Sequence, residues 1–171
     1  RRREGVRGRS RMIPEGARIA VDVGTVRIGV AASAAGTSLA VPVETVAAGP
    51  DAVAKVVDIA VERGAVVVYV GDPIQLDGAV GPAAVAARAF AAQVIGVMSG
   101  RSHGVTVSDV RMVDERLTSA QSHRHMQAAG RNTRKSRIVL DQAAAVAILQ
   151  NALERERSTG RLAGVSAEQY D

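Results

Sequence analysis

Three carboxylates stand where an apolar core offers them little. Asp22 lies in the run Arg18 to Ser33 (RIAVDVGTVRIGVAAS), Glu115 follows the run GVTVSDVRMV, and Asp141 interrupts the stretch RIVLDQAAAVAILQ. An ionised carboxylate among aliphatic side chains is costly to desolvate unless a cation or hydrogen bonds accompany it. Brought together, Asp22, Glu115 and Asp141 would make a cage of hard oxygen ligands. The chain has no cysteine, and His123 and His125 stand two apart on an expected helix and face apart, while His103 falls in a loop. A cage without thiolates or a histidine pair suits Mg2+ or Mn2+. Such ions deprotonate water and stabilise a leaving oxygen in an in-line displacement, which is phosphodiester hydrolysis. Each acid also has an ordinary reading: Asp22 bonding its own turn amides, Glu115 paired with Arg116 or Arg111, Asp141 on a surface.

Cations supply the second half of the pattern. The first eleven residues (RRREGVRGRSR) hold six arginines and one glutamate, so the whole formal charge of +5 sits there and the body is neutral. Within that body, residues 116 to 140 carry Arg116, Arg124, Arg131, Arg134, Lys135 and Arg137 and no acid. A localised basic face of this kind suits phosphate, although a charge run is also the ordinary make-up of a solvated helix. Lys135 and Arg137, just before Asp141, are placed to hold non-bridging phosphate oxygens. The expected partner is nucleic acid, as structured RNA or branched DNA. Tyr69, Phe90 and Tyr170 are the only aromatics, and the first two fall in apolar elements, so base stacking contributes little and backbone charge dominates.

The elements that must position these residues alternate between strand and helix. Residues 18 to 33 form a hairpin in which Ile19, Val21 and Val23 share one face and Ala20, Asp22 and Gly24 the other. A third strand spans Ser38 to Val46, where Pro42 marks an edge or a bulge. A helix over Asp51 to Arg63 ends at Gly64, and AVVVYVG (Ala65 to Gly71) is a strand buried on both faces. Pro82 opens a helix to about Met98, and Gly104 to Val113 is a fifth strand. Thr118 and Gln121 cap a helix to about Ala129, and Ser136 caps a last one over Arg137 to about Arg157. That start places Asp141 in line with Ala144, Ala145 and Ile148, on the stripe facing the core. Helix followed by buried strand makes an α/β fold. The expected division is a disordered basic arm over 1–16, one domain over 17–157, and a loose tail over 158–171. No run of 18 uncharged apolar residues and no signal-like start occur, so the expectation is a soluble, cytoplasmic chain without a membrane partner.

With these pieces in view the chain resembles the YqgF/RuvX family. The resemblance rests on DVGTVRIGVAAS, the loop after VVVYVG ending in LDG, DERLTSAQ, and KSRIVLDQAAAVAILQ, in the family's order across about residues 17 to 157. It implies an RNase H-like fold: a five-stranded mixed sheet, strand 2 antiparallel, flanked by helices. It also implies a metal-dependent nuclease, with Asp22, Glu115 and Asp141 at the family's acidic positions and Lys135 at a basic one. Two roles come with it, trimming the 5′ end of precursor 16S rRNA and resolving Holliday junctions. Resolution implies a homodimer with two sites about a two-fold axis, and end trimming does not. One departure matters: where the family usually has Gly-Leu-Pro, this chain has Gly71-Asp72-Pro73, which makes Asp72 a fourth ligand or a turn residue.

Two other classes compete. Asp22-Val23-Gly24-Thr25 also resembles the first phosphate loop of the actin and sugar-kinase ATPases, which need two lobes where this length supplies one. A nucleic-acid-binding factor without catalysis is the other.

Overall fold

The computed structural model describes residues 13–117 and 134–170, with the main chain alone for residues 117 and 134–139. The apolar hairpin forms as its alternation requires: β1 (Ala17–Val23) and β2 (Arg27–Ser33) pair antiparallel, with Asp22 opposite Gly29. Gly24 donates its N–H to the Arg27 carbonyl and closes the turn. A Cβ on Gly24 would meet that carbonyl oxygen at 2.4 Å, which is why a glycine stands there.

β3 (Val41–Ala47) lies outside β2, and the register slips between Val30 and Ala31, opposite Pro42. Proline at a bulged edge strand leaves no ladder donor missing. Residues 38 to 40, expected as strand, are held by α3 (Arg134–Thr159) instead: Gln150 accepts from the Ala40 N–H and donates to the Ser38 carbonyl. α1 (Ala52–Glu62) ends as expected before Gly64, whose φ of +60° favours glycine. β4 (Ala65–Asp72) pairs parallel with β1 and with β5 (Asp109–Asp114). β5 is shorter than the sequence predicts because the Thr106 and Ser108 side chains and the Ser108 N–H already take the Ala65 and Val66 carbonyls.

With the short β6 (Val165–Ser166), the sheet order is β3-β2-β1-β4-β5-β6. It is mixed, strand 2 is antiparallel, and helices cover both faces, as the resemblance implies. The count is six rather than five because Val165–Ser166 adds β6 beside β5. Residues expected to trail loosely therefore join the sheet, and Ala163 and Ala167 are buried there.

Ile19, Val21 and Val23 pack with α1 and α2 (Pro82–Ser99), while Ala20, Val67 and Tyr69 pack under α3 (Arg134–Thr159). α2 is long and apolar enough by composition to cross a membrane, but it lies on the sheet through Ala84, Ala87, Phe90, Ala91 and Val94. At the far end of the α3 face, Arg18 donates to Glu156 and to the Pro14 and Gly16 carbonyls, and the Tyr69 hydroxyl donates to Glu156. These charges are buried together, which offsets their desolvation. α3 begins at Arg134, so Ser136 lies inside it rather than capping it and Asp141 stands two turns in. The helix expected over Thr118 to Ala129 lies outside the described residues.

Candidate nuclease site

Asp22 is flanked in the sheet by two glycines. Across β2 it faces Gly29. On the other side Val21 pairs with Val70, so Asp22 and Gly71 follow side by side at the ends of their strands. Neither glycine has room for a side chain. A Cβ on Gly29 would meet the Asp141 main-chain oxygen at 2.1 Å, and a Cβ on Gly71 would meet Glu115 Oε1 at 2.2 Å and Ile148 Cδ1 at 2.7 Å. The missing side chains thus let α3 settle beside Asp22 at Asp141 and let the Glu115 carboxylate lie over β4.

All three acids are buried: Asp22 is 5 % exposed, Glu115 1 % and Asp141 8 %. Asp22 arrives on the α3 side by strand alternation, and Asp141 by the helical stripe it shares with Ala144, Ala145 and Ile148. Glu115 opens a 3-10 turn (Glu115–Leu117) at the end of β5. The C-terminal ends of sheet strands are where α/β folds place ligand-binding groups. Burial, with the nearby Asp72 and Asp114 carboxylates adding to it, pushes the Glu115 carboxyl up to about 8. Among the described residues no three acidic or histidine side chains stand as a ready-made ligand set. The three acids share one end and one face of the sheet without closing on a single point.

Arginines occupy much of the intervening charge. Arg27, at the start of β2, donates from Nε to Asp141 Oδ2 at 2.7 Å. Arg116 is exposed and clasps Asp114 with Nε and Nη2, rather than Glu115. That clasp holds the Asp114 carboxyl below its ordinary value. Arg111, the other partner considered for Glu115, bonds Asp109 and the Ala163 and Gly164 carbonyls.

Asp72 is not a turn residue. It closes β4 beside Asp114, is 1 % exposed, and accepts from Nε and Nη2 of Arg88 on α2. The Arg88 guanidinium lies 4.6 Å from the Tyr170 ring centre, so the C-terminal segment closes over this pair. Arg131 lies outside the described residues. Arg134, Lys135 and Arg137 lie in the first turns of α3, where the main chain alone is described.

Sequence reasoning missed Arg27. The available signal was alternation: Arg27, Gly29 and Ala31 share one side of β2, so a charge on the side facing a buried helix needs a carboxylate across from it.

Known proteins align over nearly all of this region. The family model described as "RuvX: Holliday junction resolvase" matches residues 16–155. A Kineococcus radiotolerans protein named "Putative pre-16S rRNA nuclease" is 43 % identical over 152 residues, covering 87 % of this chain and 77 % of its own. Proteins of the same name from Leifsonia xyli subsp. xyli and Rhodococcus opacus are 41 % and 47 % identical, covering 90 % and 84 % of this chain and 95 % and 80 % of theirs. Among solved structures, "T. thermophilus RuvC in complex with Holliday junction substrate" aligns with a TM-score of 0.48 and 18 % identity, over 86 % of this chain and 98 % of that one. A family match across both the sheet and the helix that carries Asp141 leaves one assignment: the chain belongs to the RuvX family.

Proposed function

We propose that this chain is a divalent-metal-dependent nuclease acting in the cytoplasm, with Asp22, Glu115 and Asp141 as its metal-binding and catalytic acids. The observation that carries the reading is the pair of glycines, Gly29 and Gly71, that admit Asp141 and Glu115 to either side of Asp22. The donor chemistry fits Mg2+ or Mn2+: three carboxylates, no thiolate in the chain, and a Glu115 whose raised proton affinity marks a place where positive charge is favourable. Bound there, the ion supplies Lewis acidity to a phosphodiester and lowers the pKa of an attacking water. The chain's own part is to hold the three carboxylates at one edge of the sheet, out of bulk water. Arg116, Arg131, Arg134, Lys135 and Arg137 bind the flanking phosphates and set the substrate's register.

The relatives' names point to precursor 16S rRNA as substrate, and the family description points to Holliday junctions. A panel of end-labelled precursor rRNA fragments and four-way DNA junctions, incubated with Mn2+ and with Asp22→Asn as control, separates them. Cleavage of either substrate by the native chain and not by Asp22→Asn supports the nuclease reading. Tight binding without cleavage of any member would replace it with a non-catalytic nucleic-acid-binding factor. Junction cleavage predicts a homodimer, checked by sedimentation, and rRNA trimming does not require one.

A further inference from the structure

We propose that Arg27 is a positioning residue that stands in for the divalent cation when the site is empty, and that loading requires it to release Asp141. The inference rests on the nuclease reading above and adds a residue to it.

Among the described residues, three arginine–aspartate pairs surround this end of the sheet, and they are not equivalent. Arg88 with Asp72 and Arg116 with Asp114 engage carboxylates outside the proposed set of three. Arg27 engages one of the three itself, at 2.7 Å on Asp141 Oδ2. Its main chain is pinned by the Gly24 N–H, so the guanidinium approaches from the hairpin that also carries Asp22. Strand alternation keeps Arg27 and Gly29 on one side of β2, and Asp22, opposite Gly29, shares that side.

Asp22, Glu115 and Asp141 are three carboxylates buried at the same end of the molecule. Holding them together without added positive charge is unfavourable, and a guanidinium on Asp141 offsets part of that cost. The Arg27 side chain is 26 % exposed and that of Asp141 12 %, so the cation is the more solvent-accessible partner of the pair. A divalent ion at Asp141 would repel a guanidinium at hydrogen-bonding distance, so the two compete for one carboxylate. A bond that merely fastens α3 to β2 would not be in competition with the ion.

The test is the Mn2+ affinity of the full chain without nucleic acid, by isothermal titration calorimetry, for the native protein, Arg27→Gln and Arg27→Lys. Competition predicts that Arg27→Gln binds Mn2+ about 3- to 10-fold more tightly, because one opposing charge is gone, while Arg27→Lys stays near native. An unchanged or weakened affinity in a folded Arg27→Gln overturns the proposal, since a purely structural bond can only loosen the site when removed. Should Arg27→Gln not fold, the native protein gives the second reading. The Arg27 Nε–H resonance, assigned by its absence from Arg27→Lys spectra, shifts on Mg2+ addition if the pair opens, and a signal unmoved at saturation overturns it. Failure of the native chain to bind Mn2+ at all counts against the nuclease reading itself, whereas native binding with no Arg27 effect counts against this inference alone.

Discussion

Gly29 on β2 lies so close beneath Asp141 on α3 that a Cβ would meet the Asp141 main-chain oxygen at 2.1 Å. Main-chain atoms of a packed helix do not yield as a side-chain tip does. Gly29→Ala must therefore push α3 off the sheet beside Asp22, with a cost on the order of 1–3 kcal/mol or more for overpacking. We expect a lower unfolding midpoint in urea together with weakened Mn2+ binding. Native stability in this variant would mean that α3 has slack at this point.

Each of Asp22→Asn, Glu115→Gln and Asp141→Asn is expected to abolish cleavage while leaving nucleic-acid binding largely intact, because phosphate binding and metal ligation use different side chains. Gel-shift and cleavage assays on the same preparations check this. Equal turnover by any one variant removes that residue from the site.

Neutralising Arg134 or Lys135 should weaken binding of every nucleic acid tested and lower the slope of log K against log salt by about one for each phosphate no longer neutralised. Both residues belong in sequence to the run of cations that opens α3. An unchanged slope assigns them to something other than phosphate.

The buried cluster at the opposite end answers to stability rather than chemistry. Glu156→Ala leaves the Arg18 charge, 6 % exposed, without its carboxylate, at a cost of about 3–5 kcal/mol. Chemical denaturation measures the loss, and Mn2+ affinity of the folded fraction should be unaffected.

Both tyrosines hold their protons beyond the ordinary value of 10.0. Burial raises Tyr69, helped by its bond to Glu156, and burial with the Asp72 carboxylate raises Tyr170. A phenol whose folded pKa is raised contributes stability that is complete below the unfolded value and is lost as pH climbs past it. In an alkaline titration Tyr170, the more exposed, should release its proton first and above pH 10, and Tyr69 only as the fold is lost. Full phenolate absorbance with circular dichroism still native would contradict this.

What the sequence made legible follows from periodicity. Alternation along β1 separated Ile19, Val21 and Val23 from Ala20 and Asp22, and the structure places those sets under different helices. The stripe of Asp141, Ala144, Ala145 and Ile148 faces inward for the same reason. Tertiary register was not legible: nothing local says that Arg27 meets Asp141, 114 residues away, or that Arg88 on α2 meets Asp72. The pairing of Val165–Ser166 with β5 was hidden because a two-residue strand has no period to read. The sequence left Asp72 open between a fourth ligand and a turn residue, and the structure makes it the last residue of β4, paired with Arg88.

Asp22, Glu115 and Asp141, far apart in sequence, are proposed to hold one divalent-metal centre, and everything else about the chemistry depends on it. The most direct test is a Mn2+ titration followed by electron paramagnetic resonance on the native chain and the three single amide variants, without substrate. The predicted result is saturable binding by the native protein and loss of that binding in all three variants. Native-like binding in every variant would contradict it.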